Sequence, residues 1–200
     1  MLARVFAVMT AASASGGLLF NLTTNGNSQL LAERMRGVVE DPATLGTLLA
    51  AVYALASLAQ LVVGRLIDRM SLKRLYLTIA LSQAPLLLLA AQAQGWWLYA
   101  ALLGVMILVF GAIPFTDAMI VRYVDDRMRS RVTGMRLSVS IGISSLAVWL
   151  LGPAVKAAGF STLLLVLAGV ALLTSAIVSW LPGDGAVARA REAAAAAAGD

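Results

Sequence analysis

Asp117 stands alone. It is the single charged residue between Arg74 and Arg122. A carboxylate in apolar surroundings can carry a proton or pair with a cation, and inside a membrane it marks a functional hypothesis. Its depth separates the two roles: the 20 residues from Trp97 to Asp117 span about 30 Å of helix. Asp117 therefore sits at the edge of a crossing, one turn from Arg122, where an ion pair is favoured over proton coupling. A second set carries no charge. Gly17, Asn21, Thr24, Asn25 and Ser28 recur at i, i+4, i+7, i+8 and i+11 and share one helix face. Amides and hydroxyls on one face suit a water-filled path or interhelical hydrogen bonds, and Asn25-Gly26 could break the helix and expose backbone groups to a ligand. A third set is basic: Gly64-Arg65-Leu66-Ile67-Asp68-Arg69 runs on to Lys73-Arg74.

The absences are as informative. The chain has no Cys and no His, which excludes disulfides, thiolate metal sites, a Cys nucleophile and a Ser–His triad. No nucleophile–base set, metal-ligand cluster or Gly-rich phosphate loop is present, so neither an enzyme nor a metal or cofactor site is expected.

These residues must be positioned by helices in a bilayer. The 200 residues are 60% hydrophobic and 12% charged, with mean hydropathy +0.89; soluble domains carry roughly a quarter charged residues. A hydrocarbon core about 30 Å thick needs roughly 20 helical residues. Uncharged runs cover 5–32, 42–64, 75–116, 137–155 and 157–183. The third is too long for one crossing, and Gln92, Gln94, Gly95, Trp96, Trp97 and Tyr99 mark an interfacial turn near its middle. The predicted fold is an all-α polytopic membrane protein, residues 1–182, with six spans at about 5–31, 43–64, 74–93, 96–121, 133–152 and 160–181. An Ala-rich tail, 183–200, follows. Residues 1–15 resemble a signal peptide, but the helical pattern runs on through Leu18, Leu19 and Phe20, so an uncleaved first span is expected.

Six spans put both termini and the second and fourth loops on one side. That side holds 12 of the 15 basic residues, leaving Arg34, Arg36 and Lys156 opposite. The positive-inside rule makes the rich side, termini included, cytoplasmic, in the inner membrane. The net charge of +5 thus reports topology, and no nucleic-acid partner is expected.

The segment Gly64 to Arg74, between the second and third spans, resembles the loop signature of the major facilitator superfamily: a Gly, an Asp four residues later with an Arg beside it, then a basic pair. It departs from the pattern at Met70-Ser71-Leu72. Physically, Gly64 would permit close helix approach, Asp68 would accept hydrogen bonds at a neighbouring helix N-terminus, and Arg65, Arg69, Lys73 and Arg74 would sit at the anionic leaflet. Loop 4–5, Asp125 to Gly134, and the end of the first span resemble the second half of bacterial members.

The resemblance implies secondary transport of a small solute by alternating access between two six-helix halves. Six helices supply one half, so a second half or a homodimer is the implied partner. A non-transporting fragment or assembly partner from a split gene is the alternative. Asn21, Thr24, Asn25 and Ser28 become possible substrate-path residues. Arg136 and Arg122, with Asp68 and Asp117, become a cluster that would hold the cytoplasmic side shut. Pro114 would kink the fourth span there. Ser138, Gly142, Ser145 and Trp149 would form a small-residue packing face on the fifth.

Overall fold

A computed structural model describes residues 2–124 and 126–180, without the side chains of 2–6, 122, 123 and 126. The tail expected at 183–200 lies outside the described residues. All regular structure among them is helical. In order these are α1 (Leu2–Arg34), α2 (Pro42–Arg69), α3 (Leu72–Gln92), α4 (Gly95–Gly111), α5 (Ile113–Tyr123) and α6 (Arg129–Ser179), with a 3-10 turn at Asp126–Met128. A helix satisfies its own backbone polar groups, which lipid cannot do for it. Among the described residues, four stretches are long and apolar enough to cross a membrane: Pro42–Arg69, Leu72–Gln92, Gly95–Val121 and Arg129–Ser179.

Two boundaries differ from expectation, each for a local reason. The stretch expected as one helix over 96–121 is two, α4 and α5, meeting at Ala112. Pro114 has no N–H to return to the preceding turn, and Phe115 donates instead to the Ala112 carbonyl at 3.3 Å, a tighter i→i−3 bond. The helix expected at 133–152 runs from 129 on to 158, and the one expected at 160–181 follows it directly across Gly159 (φ 78, ψ 167), with no longer connection between them. Pro153 is accommodated inside the first of the two.

The core shows what Gly159 does. Val132 and Val178 pack in one apolar cluster, with Val8, Leu72, Tyr76 and Phe115. Phe160 packs in the other, with Leu31, Met35, Ala91 and Leu98. The chain therefore runs out along a first arm of α6, 129–158, reverses at Gly159 and returns along a second arm, 160–179. The first cluster gathers the start of α1, the end of α2, the start of α3, α5 and both ends of α6. The second gathers the opposite turns, where Arg34 of α1 donates to the Ala93 carbonyl and to Ser161 Oγ.

α1 crosses the middle of the bundle. It packs on α6, where Gly26 faces Phe160 and Leu151, and the helix continues unbroken through Asn25-Gly26 rather than breaking there. Its polar side chains mostly bond back to its own carbonyls: Ser15 to Ala11 (2.8 Å), Asn21 to Gly17 (2.9 Å), Thr23 to Leu19 (2.6 Å) and Asn25 to Asn21 (2.8 Å). Asn27, buried, donates to Tyr53 Oη of α2 at 3.2 Å and to Met106 Sδ of α4 at 3.0 Å. Tyr53 in turn donates to the Thr24 carbonyl at 2.9 Å. Gln83 of α3, also buried, donates to the Leu108 carbonyl at 3.2 Å, near the α4–α5 break.

α2 starts at Asp41, which caps it by accepting from the Thr44 hydroxyl (2.6 Å) and the Thr44 N–H (2.8 Å), with Pro42 in the first turn. These two bonds, the hydroxyl's first, hold the Asp41 carboxyl below its ordinary value. The cap is complete above the ordinary aspartate range and is lost as pH falls through the lowered value. The protection factor of the Thr44 amide, its exchange rate corrected for the intrinsic pH dependence, should therefore fall at acidic pH in wild type and be low at every pH in Asp41→Ala.

The reversal makes a second prediction. A side chain at Gly159 meets nothing within 4 Å, so Gly159→Ala should destabilise through backbone strain alone, by about 1–3 kcal/mol. Gly134→Ala, in a helical position that is also open, should be neutral or stabilising by up to about 1 kcal/mol. Unfolding of both variants in detergent measures the difference.

Candidate functional site

The elements enclose a cleft of about 260 Å³ between α1, α3, α4, α5 and the first arm of α6. Its polar lining is Ser13 and Asn21 of α1, Tyr76 of α3, Thr116 of α5, and Arg136 and Ser140 of α6. Ala12, Phe20, Val109 and Leu137 supply apolar wall.

Each side chain has a reason to be there. Gly17 brings α1 against α6: a Cβ on it would lie 3.4 Å from Ser140 Oγ and 3.7 Å from Ser144 Oγ. One turn on, Asn21 spans the same seam and donates to Ser144 Oγ at 2.8 Å. Tyr76 is fixed by its ring contact with Phe115, centroids 4.9 Å apart. Ser13 is 8% exposed, and its Oγ has no hydrogen-bond partner among the described residues. Arg136 donates to Asp117 Oδ1 at 2.8 Å; its side chain is 14% exposed, that of Asp117 71%. The arginine is thus largely enclosed while its counter-ion faces outward.

Of the residues singled out in the sequence, the cleft takes in Asn21 and Arg136, with Asp117 beside it. Thr24 is half-buried and bonds back to Phe20, while Asn25 and Ser28 are exposed. Asp117 pairs with Arg136 across 19 residues; the side chain of Arg122 lies outside the described residues. Arg65, Asp68, Arg69 and Arg74 are exposed around the α2–α3 connection, and Lys73 is half-buried with an interaction of its own. No hydrogen bond or ion pair joins Asp68 to another described residue. Gly64 permits no close approach here, since a Cβ there would meet nothing within 4 Å. The Met70-Ser71-Leu72 departure has a structural use: Met70 is extended, Ser71 precedes the first turn of α3, and Leu72, 1% exposed, anchors that turn in the core.

The packing face of the first arm is also displaced. Ser138, Gly142, Ser145 and Trp149 are exposed, and Gly142 has no neighbour within 4 Å of a Cβ. Ser140, Ser144, Ala147 and Leu151 face the bundle instead. Ser140 and Ser144 carry an i, i+4 signal of their own, two residues out of phase with the set chosen from sequence. Ser13 was hidden in the small-residue run of the possible signal peptide, and Asn27 lay off the polar face of α1.

The sequence model of the Major Facilitator Superfamily matches residues 3–198. The chain belongs to that superfamily. Its members are transporters of the membrane, in keeping with the long apolar helices. A comparison with curated proteins gave no match. Within a major facilitator bundle, Arg136–Asp117 is a partly solvated ion pair, and such pairs contribute about 0–1 kcal/mol, less at high salt. A double-mutant cycle with Arg136→Gln and Asp117→Asn, read by unfolding in detergent, should give a coupling in that range. A coupling above about 3 kcal/mol would instead mean a desolvated pair.

Proposed function

We propose that this chain is one six-helix half, the C-terminal type, of a secondary transporter that moves a small solute by alternating access in the inner membrane. It works with a second half or a second copy. The crossings are α1, α2, α3, α4 with α5, and the two arms of α6. Support for the last two comes from Val132 and Val178 sharing one core cluster while Phe160 sits in the other. The termini and the arginine-rich connections face the cytoplasm, on the strength of the 12 of 15 basic residues at that end.

The observation that carries the reading is the cleft: a polar recess bounded by α1 and the first arm of α6, inside apolar helices of a transporter superfamily. Alternating access needs a second wall to rock against. Large apolar residues stand exposed on α2 (Leu58 55%, Leu61 61%) and on the first arm of α6 (Ile141 63%, Trp149 70%). These faces meet lipid on one side and the opposing half on the other. Asp68 and Arg69, at the mouth of the α2–α3 connection, act with Arg136 and Asp117 in closing the cytoplasmic end.

Native mass measurement in mild detergent, paired with solute flux in vesicles, tests the partner. Flux is expected only from a dimer or a two-half complex. Flux from a lone monomer would overturn the requirement for a second wall, and paired units without flux toward any solute would favour the non-transporting assembly partner. In the same vesicles Asp68→Asn should lower flux without lowering the amount inserted, and unchanged kinetics would remove Asp68 from the closing cluster.

A further inference from the structure

We propose that the cleft takes a small amphiphilic organic anion: an oxyanion headgroup, carboxylate or phosphate, on a short apolar body, held by Arg136 in exchange for Asp117. This rests on the cleft being the substrate site of the transport reading above.

The charge of the ligand follows from the lining. Arg136 is the one ionisable side chain apart from Tyr76 among the cleft-lining residues, and no carboxylate lines it. A cation would face a guanidinium and nothing to balance it. A guanidinium has five N–H donors in a planar fork matched to two oxygens of one anion. A single hydrogen bond, to Asp117 Oδ1, joins Arg136 to the described residues. That carboxylate is 71% exposed, so its oxygens keep most of their hydration and it is cheap to displace. An incoming oxyanion inside the cleft replaces it, and Asp117 is released to water.

Ser13 supplies the second anchor. Its hydroxyl lies in the cleft wall, nine-tenths buried and without a described partner. A buried hydroxyl left unbonded is costly, and an acceptor oxygen in the cleft would remove that cost. Ser140 stands across from it on α6 with no described hydrogen bond of its own. The size and the rest of the lining set the body of the ligand. A volume of about 260 Å³ lies just below the usual range for small-molecule sites, about 300–1,000 Å³. Ala12, Phe20, Val109 and Leu137 offer no partners for a polyhydroxylated solute such as a sugar. They fit a few methylenes.

Two sources share this chemistry, a dissolved carboxylate and the headgroup of an anionic phospholipid. The test uses the full chain in nanodiscs of phosphatidylcholine, titrated with octanoate and, as the uncharged match, octanol, with the shift in melting temperature giving the affinity. Octanoate should bind and octanol should not. Arg136→Gln should weaken octanoate by about tenfold or more, the loss expected for a charge-assisted hydrogen bond. Asp117→Asn should strengthen it severalfold, because the competing counter-ion is gone; a purely structural pair would leave affinity unchanged or lower it. Gly16 lines the same cleft and a side chain there meets nothing within 4 Å, so Gly16→Phe should fill the space and abolish binding in a folded protein. Adding phosphatidylglycerol to the discs separates the sources. Arg136-dependent loss of octanoate affinity assigns the oxyanion to lipid, and no effect assigns it to a dissolved solute. Equal binding of octanol, or octanoate binding indifferent to both Arg136→Gln and Gly16→Phe, overturns the proposal. Because binding is read without flux, its failure leaves the transport reading to its own vesicle test, and failure of flux leaves the anion site standing.

Discussion

A helix in lipid gains almost nothing by exchanging a hydrocarbon tail for another leucine, so the usual driving force for burying apolar side chains is missing between membrane helices. What remains is close packing and the hydrogen bonds that polar side chains make across helix seams, each contributing on average about 0.6 kcal/mol. Most of the architecture depends on where those few contacts fall. They fall mainly on α1. Gly17 lets α6 in, Asn21 reaches Ser144, Asn27 reaches Tyr53 and Met106, and Arg34 ties α1 to the turns at Ala93 and Ser161. The other helices are thus organised around α1.

The cleft is a by-product of the same economy of contacts. Small residues on α1 keep neighbouring helices close at Gly17, while one residue earlier Gly16 leaves open space. The break at Ala112 falls two residues before Pro114, and next to that proline Phe115 packs against Tyr76. Seen this way the recess needs no dedicated loop. It is bounded by a pair of adjacent glycines on α1, the α4–α5 break at Ala112 and an arginine near the start of the first arm of α6.

Sequence alone reached the helical class, because uncharged length is a one-dimensional signal. It did not reach the phase of the first arm of α6. Ser138, Gly142 and Ser145 satisfy helical spacing as well as Ser140, Ser144 and Ala147 do, and in a helix apolar almost all round only the neighbour decides which face is inside. Gly64 shows the converse. Its place in a recognisable signature suggested close packing, yet the space beside it is open. Ser13 and Tyr76 were illegible for another reason: a serine among alanines and a tyrosine among leucines acquire meaning only when another helix closes a space against them. Likewise the pairing of Asp117 with Arg136 joins two helices across 19 residues, a distance that helical spacing does not measure.

The back-bonded side chains of α1 bear on how this chain enters a membrane during synthesis. Hydropathy scales charge each Ser, Thr and Asn as though its polar atoms were bare in hydrocarbon. In α1 the hydroxyls of Ser15 and Thr23 and the amides of Asn21 and Asn25 are already bonded to carbonyls one turn back, so part of their dehydration cost is met before any neighbour arrives. The helix can partition into lipid as a self-contained rod and find Ser144 and Tyr53 afterwards, and its polarity then serves assembly without blocking insertion.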